Sequence, residues 1–287
     1  MAAPTHDDAQ QRVLAVTGAS GRLGGRVARR LSEAGVPQRL LARTPAHAPD
    51  LPGAVAVPGD YARYDDIVAS LSGVGTVLMV SASEAPDRVP QHINFIDAAV
   101  AAGVRHLVYT SSVGAAADAT FTLARDHWAT EEHIRASGLE FTVLRDNLYA
   151  DFMPALVGED GVIRGPGGQG RVAAVAQDDI ADAAVAVLRN PAQHHGVTYD
   201  LTGPQALSLE EIAAAVSRAT GRPVSYREET VAEAYRSRAS YGAPQWQLDA
   251  WVSTYTAIAS GAFSQVSDAI PRLTGHPAVE LSELLAR

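Results

Sequence analysis

The chain has 287 residues, 47% hydrophobic and 19% charged, which is enough apolar material for one large α/β domain with a smaller annex and excludes a disordered chain. Its net charge of -9 excludes sequence-independent nucleic-acid binding, which needs surplus cations to displace phosphate counterions. With no Cys and no Lys anywhere, disulfides, thiolate nucleophiles, Cys-held zinc and lysine-dependent chemistry are excluded as well.

Residues 1–11 are polar and lack the apolar stretch of a signal peptide, so a frayed tail is expected there. No run approaches the roughly 18 apolar residues of a membrane span, and a cytoplasmic protein with no membrane partner is expected. Residues 12–17 form a β-branched run predicted as the first strand. In residues 21–34, Leu23, Val27, Leu31 and Ala34 recur at helical spacing, and Gly35 closes the helix. Strands are predicted over 38–42 and 54–57, a short helix over 65–71, and a strand over 76–80 whose continuous apolar character fits burial on both faces. A helix over 91–102 stopped by Gly103, a strand over 106–110, a helix over 124–137 and a strand over 141–145 complete the alternation. The pattern predicts a doubly wound parallel sheet of Rossmann type over residues 12–150.

After Tyr149 the pattern loosens. Residues 158–170 are Gly-rich, 171–174 read as a strand, and Asp178-Asp179 as the N-cap of a helix over 180–188. A strand is expected over 197–201, and a helix over 208–220 opened by a capping box of Ser208 and Glu211. Residues 228–264 read as helical and aromatic, with Tyr235, Tyr241, Trp246, Trp251, Tyr255 and Phe263. Residues 151–287 are therefore expected to form a smaller substrate annex packed on the first domain and partly sharing its sheet.

The strongest local signal is Thr17-Gly18-Ala19-Ser20-Gly21-Arg22-Leu23-Gly24, a G-x-x-G-x-x-G loop between the first strand and its helix. Glycines there permit a tight turn and let the backbone approach a pyrophosphate on the helix N-terminus, so a dinucleotide cofactor is expected. Second strands of NAD-binding folds end in an acid that accepts from the ribose 2′-hydroxyl; here the strand runs Leu40-Leu41-Ala42-Arg43. A guanidinium pairs with a 2′-phosphate, worth about 1.5–3 kcal/mol or roughly 10- to 150-fold, so NADPH is the expected cofactor. Arg22 is placed to add to this. Asp60, in Gly59-Asp60-Tyr61 after the third strand, reads as an acceptor for an adenine amino group or as a helix cap. Ser81-Ala82-Ser83 and Thr110-Ser111-Ser112 end the fourth and fifth strands, where open α/β sheets bind ligands.

These pieces, with Leu41-Ala42-Arg43-Thr44-Pro45, Gln91-His92, Thr130-Glu131 and Leu144-Arg145, resemble the NmrA-like atypical short-chain dehydrogenases. Within them the resemblance is to type-2 quinone oxidoreductases and triphenylmethane reductases. It runs from Val13 to the closing Thr274-Gly275-His276-Pro277, and residues 123–152 carry its most similar stretch to the triphenylmethane reductases. The resemblance implies an NADPH-dependent reductase of quinones or related conjugated aromatic acceptors, and the family also holds redox sensors that bind dinucleotide without turnover. A natural-product tailoring reductase on the same fold is a third reading. Ordinary short-chain dehydrogenases use a Tyr-x-x-x-Lys pair; here that place reads His127-Trp128-Ala129-Thr130-Glu131, and Glu132 stands where quinone-reductase relatives keep a Lys.

A conjugated acceptor tolerates that loss, because it delocalises the incoming charge and needs mainly proximity and orientation. His127 is the candidate acid, with Glu131 at i+4 to orient it, or the two form an ordinary pair on a helix surface. Tyr149 presents a phenol or ring face to the acceptor, or is structural. His194-His195, in a Pro/Asn/Gly loop, reads as a solvated pair, and no metal site is expected. The aromatic stretch reads as pocket wall, annex core or homodimer interface.

Overall fold

A computed structural model describes residues 13–287; the expected tail at 1–11 lies outside the described residues. The first half alternates as expected: β1 (Val13–Thr17), α1 (Arg22–Glu33), β2 (Gln38–Ala42), β3 (Ala54–Pro58), α2 (Tyr64–Leu71), β4 (Val74–Met79), α3 (Arg88–Ala101), β5 (His106–Ser112), α4 (Thr122–Ala136) and β6 (Glu140–Asp146). Helix α3 begins before Pro90 where a start after it was expected. Proline is harmless in a first turn, whose N–H groups have no intrahelical partner.

The second half holds a 3₁₀ turn (Ala150–Leu156), β7 (Val162–Gly165), β8 (Arg171–Val172), α5 (Gln177–Arg189), β9 (Thr198–Leu201), β10 (Leu207–Ser208), α6 (Leu209–Thr220) and β11 (Ser225–Glu228). It ends with α7 (Val231–Arg238), α8 (Gln245–Ala259), α9 (Ala269–Thr274) and α10 (Leu281–Leu285). The Ser208–Glu211 capping box forms as read. Three expectations are corrected. Ala176, not Asp178-Asp179, occupies the N-cap of α5; both acids sit in its first turn, Asp178 held by Arg26 and Arg30 of α1 and Asp179 accepting from the Val279 N–H. The strand expected over 171–174 stops at Val172, where its antiparallel pairing with β10 ends. The helical reading of 228–264 fails at Gly242, left-handed at φ 62, and Pro244, which separate α7 from α8. Strands β7 and β11, a parallel pair, were unforeseen.

Among the described residues the main sheet has seven strands, ordered β3-β2-β1-β4-β5-β6-β9, and every neighbouring pair is parallel. Alternate residues of a strand face opposite layers. Val16, Leu78, Val108 and Leu144 pack against Leu23, Val27 and Leu31 of α1 and Ile180, Ala184 and Val187 of α5. Ala15, Val77, Met79, Leu107 and Tyr109 face Ile67, Phe95, Ile96 and Ile134 on α2, α3 and α4. This two-sided burial is why β4 reads as an unbroken apolar run. A third core joins Met153, Ile163 and Val172 to Leu209, Ile212, Tyr255 and Phe263, all from the second half of the chain. Helix α5 and strand β9 come from the second half of the chain yet build the first layer and the sheet edge. Among the described residues no helix is long and apolar enough to cross a membrane.

Candidate functional site

The strand order reverses direction between β1 and β4, the switch point where open α/β sheets take ligands at the carboxyl ends of their strands. A cavity of about 360 Å³ opens there. Its floor is the glycine loop. Gly18 is left-handed at φ 60 and its carbonyl accepts from the Gly21 N–H at 2.8 Å. A Cβ on Gly24 would stand 2.4 Å from the Gly18 oxygen, so only glycine lets the helix approach the loop this closely. Gly21 caps α1 without a side-chain bond, and the first turn holds no acid. The first N–H groups of α1 thus face the cavity with their partial positive charge, a fit for a pyrophosphate.

Gly18, Ser20, Gly21, Arg22 and Leu23 line this cavity, and so does Arg43 from the end of β2. Arg43 is exposed and makes no ion pair among the described residues. Arg22 lies with its guanidinium 5.2 Å from the centroid of the Phe152 ring. Asp60 also lines the cavity, with Oδ1 accepting from the Ala62 N–H at 3.0 Å. Tyr61 lines it by its ring alone, because its hydroxyl is spent. The Val80 N–H donates to Thr17 Oγ1, Thr17 donates to Tyr61 Oη, and Tyr61 donates to the Val80 carbonyl at 2.7 Å, a closed circuit pinning the ends of β1 and β4. Burial holds the Tyr61 phenol above its ordinary pKa.

Ser81, Ala82 and Ser83 form the facing wall, and buried side chains hold their backbone. The Ser81 N–H donates to Thr110 Oγ1, the Ala82 N–H to His92 Nε2, and Arg88 Nε to the Ala82 carbonyl, each at 2.9 Å. Thr110 and Ser111, expected to offer their hydroxyls to the ligand, do not line this cavity. Thr110 braces the wall from behind, and Ser111 donates to Glu131 Oε1 at 2.6 Å.

The same interior reassigns His127. It is buried, not on a helix surface. Arg88 Nη2 donates to its Nε2 at 2.9 Å, so the ring is the Nδ1–H tautomer, which donates to Tyr109 Oη at 2.8 Å. Burial first, then the Arg88 charge, holds the imidazole well below its ordinary pKa, leaving no imidazolium to donate near neutral pH. Glu131 does not orient it. That carboxylate, fully buried, accepts from Ser111, from Arg145 through Nε and Nη2, and from Arg135. Burial pushes its pKa up, but the Arg145 and Ser111 hydrogen bonds prevail and hold it below the ordinary value.

Tyr149 lies half-buried after β6, its hydroxyl donating to Asp146 Oδ2 at 3.0 Å. Asp146, at the carboxyl end of β6, is a residue the sequence reading missed. Burial raises its carboxyl well above the usual range, against the Tyr149 hydrogen bond, and Oδ1 is buried with no partner. Its carboxyl is thereby biased toward the protonated form. An Asp after a strand carries no mark of burial, and no local signal identifies it. Of the aromatic stretch, Tyr241, Trp251 and Tyr255 wall a second cavity of about 570 Å³, while Phe263 is core.

A family model described as NAD(P)H-binding matches residues 18–191. Over 276 residues the chain is 33% identical to the NAD(P)H azoreductase of Xenophilus azovorans, covering 94% of this chain and 96% of that one. The solved NADPH complex of an NADPH-dependent quinone oxidoreductase of Escherichia coli superposes with a TM-score of 0.87 at 32% identity, over 96% of this chain and 99% of that one. The NADP(H) complex of a Citrobacter triphenylmethane reductase gives 0.84 at 31% identity, over 95% and 98%.

Proposed function

The chain belongs to the NAD(P)H-binding family, and we propose that it acts there as an NADPH-dependent reductase of quinones or related conjugated aromatic acceptors. The observation that carries the cofactor choice is Arg43, exposed on the cavity at the end of β2 with no carboxylate in the place that reads an NAD ribose. The glycine loop and the N-terminus of α1 would hold the pyrophosphate, Arg43 the 2′-phosphate, and the wall at residues 81–83 the far side of the dinucleotide. When bound, the cofactor supplies the hydride. An acceptor that spreads the resulting charge over its ring needs no Tyr/Lys relay, only orientation and one proton. Asp146 would hold that proton on Oδ1, with Tyr149 fixing the carboxyl through Oδ2. The proposed compartment is the cytoplasm, in keeping with a cysteine-free chain.

The test is NADPH oxidation with a panel of small quinones and azo or triphenylmethane dyes, with NADH in parallel. Turnover with NADPH ahead of NADH is expected; tight NADP(H) binding with no oxidation across the panel would replace the reductase by a redox sensor. Asp146→Asn keeps the shape and removes the acid, and is expected to lower kcat by about 10²-fold, the lower end of what a positioned acid contributes. An unchanged kcat at unchanged melting temperature would leave Asp146 a structural residue.

A further inference from the structure

At the opposite end of the strands from the glycine cradle, β5 and β6 begin with His106 and Glu140, Cα partners in parallel register. Thr142, two residues along β6 and on the same face, lies against the same imidazole. Thr142 has one hydroxyl proton and gives it to the His194 carbonyl at 2.8 Å. Its oxygen must then accept from His106 Nε2–H, 2.9 Å away, which leaves the imidazole with a lone pair on Nδ1. That Nδ1 is buried without a hydrogen-bond partner, on a residue only 2% exposed. Glu140 Oε2 stands 3.6 Å from it. His195 closes the group, its ring centroid 6.4 Å from that of His106, and one ligand atom from each of the three residues lies within 4.8 Å of the others. The loop carrying His195 is tied to β6: the Gly196 N–H donates to the Phe141 carbonyl at 2.7 Å, and the Val143 N–H to the Val197 carbonyl at 3.0 Å.

We propose that His106 Nδ1, Glu140 and His195 form a binding site for a divalent transition ion of the zinc class, with a fourth position open to water. Two imidazoles and one carboxylate are a zinc donor set, whereas calcium and magnesium take oxygen ligands. Bonds of about 2.0–2.1 Å place tetrahedral ligand atoms roughly 3.4 Å apart, so closing the group needs only small rotations of the two exposed side chains. The His106–Thr142 bond is the orienting hydrogen bond that metal-bound histidines use on their other nitrogen. Among the described residues the other cluster of this kind, Asp179, Asp182 and His276, is already spent: Arg30 donates to Asp182 at 2.6 Å and the Val279 N–H to Asp179 at 2.8 Å. An ion at His106 would staple the starts of β5 and β6 to the loop leading into β9, independently of any reductase activity.

The experiment is a calorimetric Zn²⁺ titration of the chelator-treated full-length protein, repeated with Co²⁺ to read the visible absorption of the bound ion. The expected result is one ion per chain and a melting midpoint raised by roughly 5 °C at 100-fold excess over Kd. Glu140→Gln and His195→Ala alter exposed side chains and leave the fold intact. Each is expected to weaken binding by more than about 100-fold, the upper cost of losing merely an outer partner of a metal ligand. No heat and no cobalt absorption in the parent protein would overturn the proposal, and so would affinity and midpoint shift retained in both variants.

Discussion

At the mouth of the glycine cradle Arg22 and Arg43 stand exposed, and Arg43 makes no ion pair among the described residues. Behind β4 and β5, Arg88, His127, Glu131 and Arg145 are buried or half-buried and bonded to one another or to the backbone. The difference lies in what each charge is for. A cation that must meet a phosphate keeps its hydrogen bonds unspent and its solvation until the ligand arrives. A charge that shapes the wall has paired with partners already, because an unpaired charge in the interior costs several kcal/mol. Losing a residue of the first kind should cost binding, and losing one of the second should cost stability.

Glu131→Ala is the strongest test of that division. It strands the half-buried Arg145 beside an empty buried site, while Arg135 keeps Glu132, and is expected to destabilise folding by about 3 kcal/mol in denaturant titration, the low end for a broken buried pair. A loss below 1 kcal/mol, with NADPH affinity reduced instead, would place Glu131 in the ligand site and dissolve the contrast. Arg43→Ala should do the reverse: about 1.5–3 kcal/mol of preference for NADPH over NADH disappears, roughly 10- to 150-fold, with stability within about 0.5 kcal/mol of the parent. An unchanged NADPH/NADH affinity ratio would remove Arg43 from the 2′-phosphate.

Acid sharpens the interior side. His92 is held down to about 3, by burial first and then by Arg88. Between that value and about 6.5, where an unfolded histidine titrates, the unfolded chain binds more protons than the folded one, so stability falls as the pH falls through this window. The expected slope is about 1.4 kcal/mol per pH unit for each such histidine, read from melting or denaturant midpoints, and should be shallower in His92→Gln. A flat profile from pH 6.5 to 4 would mean that the wall histidines are solvated. The smallest effect is expected from Arg22→Ala, since Arg22, unlike Arg43, is already engaged by stacking on Phe152, and losing that exposed contact costs stability only about 0.5–1 kcal/mol. NADPH affinity should drop no more than about 5-fold; a larger loss would give Arg22 a share of the phosphate.

Much of the cofactor end was legible because its information is local. Glycine at 18, 21 and 24, a β-branched run before them and apolar residues at helical spacing after them specify a turn, a strand and a helix within a short stretch. Arg43 follows from its place at the end of the next strand. The parallel sheet follows from the alternation itself, since strands that alternate with helices return in the same direction. Burial, tautomer and partner were not legible. The bonds that fix His127 as a neutral imidazole run from Arg88 and to Tyr109, those that consume Glu131 come from Ser111 and Arg145, and nothing in residues 127–131 announces them. The same holds for Asp146, with its unpartnered Oδ1, and for His106 meeting Glu140 and His195. Period and turn chemistry are properties of neighbouring residues and survive in the sequence alone; desolvation and pairing exist only once the sheet has brought distant segments into one interior.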